Sequence, residues 1–240
     1  MSAFKPPQFN MTMTNRTTKY LSAAAFLIAS GAAFAAPTTF DIKVAGKILP
    51  GSCSPNLSSW STVTVNPNLT TLSVDKETEL TPQSLDITID CGSALSRIAL
   101  VASDVKTGTA YAPGESRVAF GDNTKSAYNY GLGLGRNNNP IGAFQFRFEG
   151  FTADSTAVVP IYSTDGGKDW SADNSDGAMG LDPQGQKYLS WAKPSSSDPV
   201  AASKFVGKVT VVPFIAPKST LDTSQEIDLD GHAVVTIRYL

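Results

Sequence analysis

The fold class the sequence predicts is all-β: a two-layer sandwich of immunoglobulin-like type. Three observations predict it. Ten short apolar or alternating segments are punctuated by turn residues after Ala36. No window of eleven or more residues there keeps an amphipathic helical period. Seven or more strands at such spacing suit two packed antiparallel sheets.

Taken in order, the expected strands are Phe40–Leu49, Thr62–Asn66, Leu85–Cys91, Arg97–Ala102, Ser116–Phe120, Tyr128–Leu134, Phe144–Phe148, Ala157–Ser163, Lys204–Ile215 and His232–Tyr239. In the first, Phe40, Ile42, Val44, Gly46 and Ile48 share one parity, with Asp41, Lys43 and Lys47 on the other, the period of a half-buried strand. The last repeats that period, with Ala233, Val235, Ile237 and Tyr239 on one face. Between the first cysteine and Leu85, the residues Leu57, Trp60, Val63 and Val65 are expected to cover one edge of the core. Phe144, Phe146 and Phe148 share one parity, which predicts a core face or a sheet–sheet contact.

The segment 163–203 is too long for an ordinary connection. It is expected to be a functional loop or an ordered insertion containing some helix. Trp170, Tyr188 and Trp191 within it are candidates for an aromatic shelf under a sugar ring, set against the plainer role of anchoring the insertion to the sandwich.

The chain of 240 residues, 41% hydrophobic and 17% charged, supports one globular domain. Tyr20–Ala35 is apolar, follows Arg16 and Lys19, and ends in Ala33-Phe34-Ala35, so residues 1–35 read as a signal peptide cleaved after Ala35. Residues 1–12 exceed what a signal needs, and translation starting at Met11 or Met13 would suffice. The exported part carries 16 basic against 21 acidic residues, a net charge of −5, which argues against a nucleic-acid partner. Cys53 and Cys91 fit one disulfide in an oxidising compartment, the alternative being two buried free thiols.

Catalytic chemistry finds no recognisable setting, and no enzyme is expected. The single histidine, His232, has no nucleophile motif to serve. Gly131, Gly133 and Gly135 alternate as in a strand rather than forming a phosphate-cradling turn. Asp165, Asp169, Asp173 and Asp176 miss the calcium-loop spacing, because Ala172 falls where the first ligand should stand relative to Gly177. No metal site and no cofactor are expected.

Three stretches carry a family resemblance. VAGKILPGSC (Val44 to Cys53) places glycine seven residues before the first cysteine, LDITIDC (Leu85 to Cys91) leads into the second, and IRYL ends the chain with a penultimate aromatic. Together these resemble the pilin subunits of bacterial chaperone-usher fimbriae, with this chain as a divergent, fimbrial-like member.

The resemblance implies a sandwich lacking its own final strand. Residues 36–45 would be a donor-strand extension whose inward side chains are Phe40, Ile42 and Val44, and 46–240 the pilin-like domain with the insertion 163–203. It implies a structural subunit exported through the inner membrane to the periplasm and built into a cell-surface fimbria. Its partners would be a periplasmic chaperone facing Ala233, Val235, Ile237 and Tyr239, an outer-membrane usher, and neighbouring subunits joined by strand donation. The competing expectation is a secreted adhesive or carbohydrate-binding sandwich module, with a host glycan or surface receptor as partner.

Overall fold

The computed structural model describes residues 52–58, 62–112, 128–172 and 177–240. The chain divides after Gly46, and everything up to that point lies outside the described residues. The expected signal peptide, the strands Phe40–Leu49 and Ser116–Phe120, and Trp60 therefore fall outside the description.

Alternation decides the layers. In Gln83–Asp90 the residues Leu85, Ile87 and Ile89 are buried while Ser84, Asp86 and Asp90 are exposed, so this strand shows one face to a core and the other to water. The first sheet runs in the order β1 (Ser54–Leu57), β3 (Gln83–Asp90), β12 (Lys204–Ile215), β6 (Gly142–Ala153) and β10 (Ala178–Gly180). Short strands β2 (Thr78–Glu79) on β12, and β5 (Tyr130–Gly131) and β7 (Thr156–Ala157) on β6, complete it. The second sheet runs β13 (Ala233–Tyr239), β4 (Ile98–Asp104), β11 (Tyr188–Ala192), β8 (Val159–Ser163) and β9 (Ser171–Ala172). The strand pairs within both sheets are antiparallel. The protein is an all-β, sandwich-like fold, as its sequence predicts; the described residues hold no α-helix, and a 3-10 turn spans Lys218–Thr220.

The core lies between the two sheets. Leu85, Ile89, Phe146, Phe148, Phe151, Phe205 and Val209 come from the first, and Ile98, Leu100, Leu189 and Trp191 from the second. Trp191 stacks on Phe151 with ring centroids 4.2 Å apart and lies 5.4 Å from Phe205, so the largest side chain joins the layers at their centre. Phe146 and Phe148 are buried and Phe144 packs beside them, as their shared parity requires.

A bulge shapes the longest strand pair. The β6–β12 register shifts between Val206 and Lys208, leaving Gly150 and Phe151 opposite Gly207. Gly150 adopts φ +64°, the left-handed value a bulge asks of its first residue. Phe151 turns inward across Gly207, where a β-carbon would meet its ring at 2.2 Å.

Several boundaries differ from expectation. Thr62–Asn66 forms no strand, and Tyr128–Leu134 contributes only Tyr130–Gly131 and a bridge from Leu134 to Pro140, because Gly133 leaves the extended region at φ +95°. The segment 163–203 is not a helical insertion among its described residues. It supplies β9, β10 and β11, and β11 is an interior strand whose Leu189 is opposite Leu100. The strand YLSWA was hidden by its length of five residues and by burial of nearly every position, which leaves no alternation to read.

Candidate functional site

The C-terminal strand is the element whose surroundings do not match its composition. β13 pairs with β4 from Ala233 opposite Asp104 to Tyr239 opposite Ile98. Val105 N–H donates to His232 O at 2.9 Å and Leu240 N–H to Arg97 O at 3.0 Å, so the even-numbered residues turn their backbone groups toward β4. By the antiparallel alternation, Ala233, Val235, Ile237 and Tyr239 turn theirs to the outer edge. Among the described residues, no strand pairs with that edge.

The side chains of those four residues share the inward face. Ala233 and Ile237 pack against the core, yet Val235 remains 40% and Tyr239 43% exposed. On neighbouring β4 the inward Ile98, Leu100 and Ala102 are at most 2% exposed. The edge of the other sheet is similarly bare: all four residues of β1 are exposed, Leu57 among them, and β1 pairs with β3 alone among the described strands. Among the described residues, two edges without a further partner strand therefore flank one side of the sandwich, with half-exposed apolar residues along β13.

At one end the two edges are tied. Cys53 N–H donates to the Tyr239 hydroxyl at 2.6 Å, joining residues 186 apart in the chain. Cys53 is itself fixed by its disulfide to Cys91, confirming the expected bridge, and Cys91 N–H donates to Ser203 O at 2.8 Å. Cys53 and Cys91 stand one step beyond the Ser54–Asp90 pair, so the bridge crosses directly between adjacent strands.

The aromatic candidates separate. Trp191 is 1% exposed in the core and cannot form a shelf; Trp170 and Tyr188 are half-buried beside Gly167. Trp170 Nε1–H donates to Gly167 O at 3.1 Å, and Leu240 lies over Gly167 beside Trp170 and Tyr188. Asp165 organises this turn: Ser163 Oγ–H and the N–H groups of Lys168 and Asp169 all donate to its carboxylate. The serine hydroxyl first, and then the backbone donors, hold its pKa down to about 2. Its oxygens are thus engaged within the turn, and among the described residues no group of three or more His, Cys, Asp or Glu is placed to hold a metal ion. Asp173 and Asp176 fall outside the described residues.

Two further polar regions serve the fold. A cavity of about 400 Å³ is lined by Asp104, Thr107, Asn129 and Gln184 among others. Asp104 accepts the N–H groups of Lys106 and Gly131, while Asn129 donates to Tyr111 O and accepts from Gln145, so these polar groups are already engaged. Tyr130, buried on β5, donates to Leu181 O at 3.0 Å; burial, then the charges of Asp182 and Asp104, push its phenol far above the ordinary range. His232 is exposed at the entry to β13. Phe40, Ile42 and Val44 lie outside the described residues. The signal for the Cys53–Tyr239 contact was present only as two separate features, a cysteine and a penultimate aromatic, whose meeting no local pattern encodes.

The fold defines a disulfide-bridged antiparallel β-sandwich whose apolar C-terminal strand lies at a sheet edge among the described strands. A family model described as "Protein of unknown function (DUF1120)" matches residues 42–145, beginning within the leading alternating stretch and ending in β6. The chain is also similar to "Uncharacterized protein YhcF" of Escherichia coli (strain K12), with 25% identity over 242 residues covering 92% of this chain and 98% of that protein.

Proposed function

We propose that this protein is a structural subunit of a surface fimbria assembled by donor-strand exchange. The half-exposed inward face of β13 carries the reading: Val235 and Tyr239 lie on the side that should be core, along an edge with no described partner strand. An extended apolar segment added there would satisfy outward N–H and C=O groups and cover those side chains together. The occupant is the leading segment of another copy, because Phe40, Ile42 and Val44 present apolar side chains at every second position just beyond the export signal. Before that exchange a periplasmic chaperone would cover the same edge, and an outer-membrane usher would host the exchange.

Burying the three donor side chains contributes roughly 5 to 9 kcal/mol at about 1.5 to 3 kcal/mol each. Ordering the strand costs about 1 to 2 kcal/mol per residue, so backbone pairing and the completed core are needed as well. One charged donor residue is therefore enough to block the step. Ile42→Asp is expected to leave the subunit folded in its chaperone complex and to exclude it from fibres. Electron microscopy and subunit quantification of purified fibres provide the check; incorporation at the wild-type level would sink the proposal. The adhesive-module reading is weakened by the burial of Trp191, which removes one of its three ring candidates.

A further inference from the structure

The flank of the sandwich away from β13 carries a cation without a carboxylate. Lys187 stands immediately before β11, two residues ahead of the buried Leu189. Its ammonium lies 5.0 Å from the ring centroid of Tyr162 on β8, the residue opposite Leu189, and 5.2 Å from that of Tyr128, within cation–π range of both. Tyr128 packs beside Gly180 of β10, so the cluster draws on both sheets, toward the flank opposite β13 and β1. The ammonium has three N–H donors, and the Tyr128 hydroxyl accepts one of them at 3.4 Å, a long hydrogen bond. Among the described residues no carboxylate pairs with it. Asp182, the acid of the same turn, is committed to the backbone: its oxygens accept the N–H groups of Gln184, Gln186 and Lys187. Lys187 and both tyrosines are only half-buried, which leaves the remaining donors within reach of solvent.

We infer that Lys187 is a binding residue for the oxyanion of an acidic saccharide, a carboxylate or a sulfate on an otherwise neutral, hydroxyl-rich ring. Packing alone does not call for lysine here. Methionine would fill the space against two rings without the cost of partly desolvating a charge. The same partial desolvation strengthens the attraction of the ammonium for an incoming anion. One cation stands at the site rather than a cluster, which suits one anionic group; an acidic peptide would bring further negative charges toward Asp182. The exposed Gln184 and Gln186 of the same turn offer amide donors and acceptors to sugar hydroxyls. Neither β13 nor β1 contributes a residue named here, so the inference does not rest on strand donation.

The test titrates the full chain with a glucuronate-containing tetrasaccharide, a sulfated galactose tetrasaccharide, maltotetraose as the neutral control, and a tetraglutamate peptide. Calorimetry gives the affinities, and the NMR resonance of the Lys187 ε-methylene group shows where the ligand sits. At least one acidic saccharide is expected to bind tenfold or more tightly than maltotetraose and to shift that resonance; which of the two does so distinguishes carboxylate from sulfate. Lys187→Met should abolish the preference while unfolding at the same or a higher urea concentration, and Tyr128→Phe, which frees the third N–H, should retain it. The proposal is overturned if neither acidic saccharide is preferred to maltotetraose, if Lys187→Met keeps the preference, or if the glutamate peptide binds more tightly than both saccharides. Binding that leaves the Lys187 resonance of the unsubstituted chain unmoved overturns it as well, whether or not the methionine variant folds.

Discussion

Asp165 shows how a charged side chain builds local structure without a helix or a strand. Its carboxylate gathers the Ser163 hydroxyl and two backbone N–H groups, which stabilise the ionised form and place its pKa at about 2. An unfolded chain would titrate near the ordinary aspartate value of about 3.9. Since the folded value is the lower one, the turn's contribution is fully present above about pH 3.9 and is lost as the pH falls through about 2. A carboxyl-carbon NMR titration should give a midpoint near 2 for Asp165, and Ser163→Ala should move it toward about 3.9; an unmoved midpoint would assign the shift to something else. The sequence showed this residue only as one of four aspartates in a mismatched calcium spacing, because hydrogen bonds to backbone N–H groups leave no trace in residue type.

At the scale of elements, β6 and β12 are locked together by one glycine and one aromatic. Phe151 can reach Trp191 only because Gly207 has no side chain, and the bulge at Gly150 turns the phenylalanine inward. Gly207→Ala would drive a methyl group into the ring, and overpacking of this kind costs about 1 to 3 kcal/mol. Urea unfolding should register that loss, and Phe151→Leu in the same chain should recover part of it; an unchanged midpoint for Gly207→Ala would show that the strands separate freely. β12 was legible to its end residues, Lys204 and Ile215, because twelve residues of apolar and β-branched character outweigh local noise. β11 was not, since five residues carry too little periodicity to stand out.

For the molecule as a whole, the Cys53–Cys91 bridge is a junction rather than a local staple. It joins β1 to β3, and through the Tyr239 hydroxyl it reaches the last strand of the second sheet. Closing a loop of 38 residues contributes about 4 kcal/mol by the chain-entropy model. Replacing both cysteines by alanine should lower stability by about 2 to 5 kcal/mol. It should also speed amide hydrogen exchange at Cys53→Ala and at the Tyr239 end of β13, because the anchor of that ring is no longer fixed. Exchange confined to β1 and β3, with β13 unaffected, would show that the bridge acts on one sheet only.

Composition, turn spacing and period-two alternation determined that this is an all-β chain, since those signals act over a few residues and survive in any sandwich arrangement, whereas the pairing of Cys53 with Cys91, 38 residues apart, was settled against two free thiols by the tertiary structure. The parity of β13 was likewise set locally, by valine, isoleucine and tyrosine at alternate positions. Which strands lie interior and which lie at an edge was decided only by tertiary structure, because burial depends on what packs against a face. Trp191 became core and Tyr239 a half-exposed bridge for that reason: one strand gained neighbours on both sides, while among the described strands the other has a neighbour on only one.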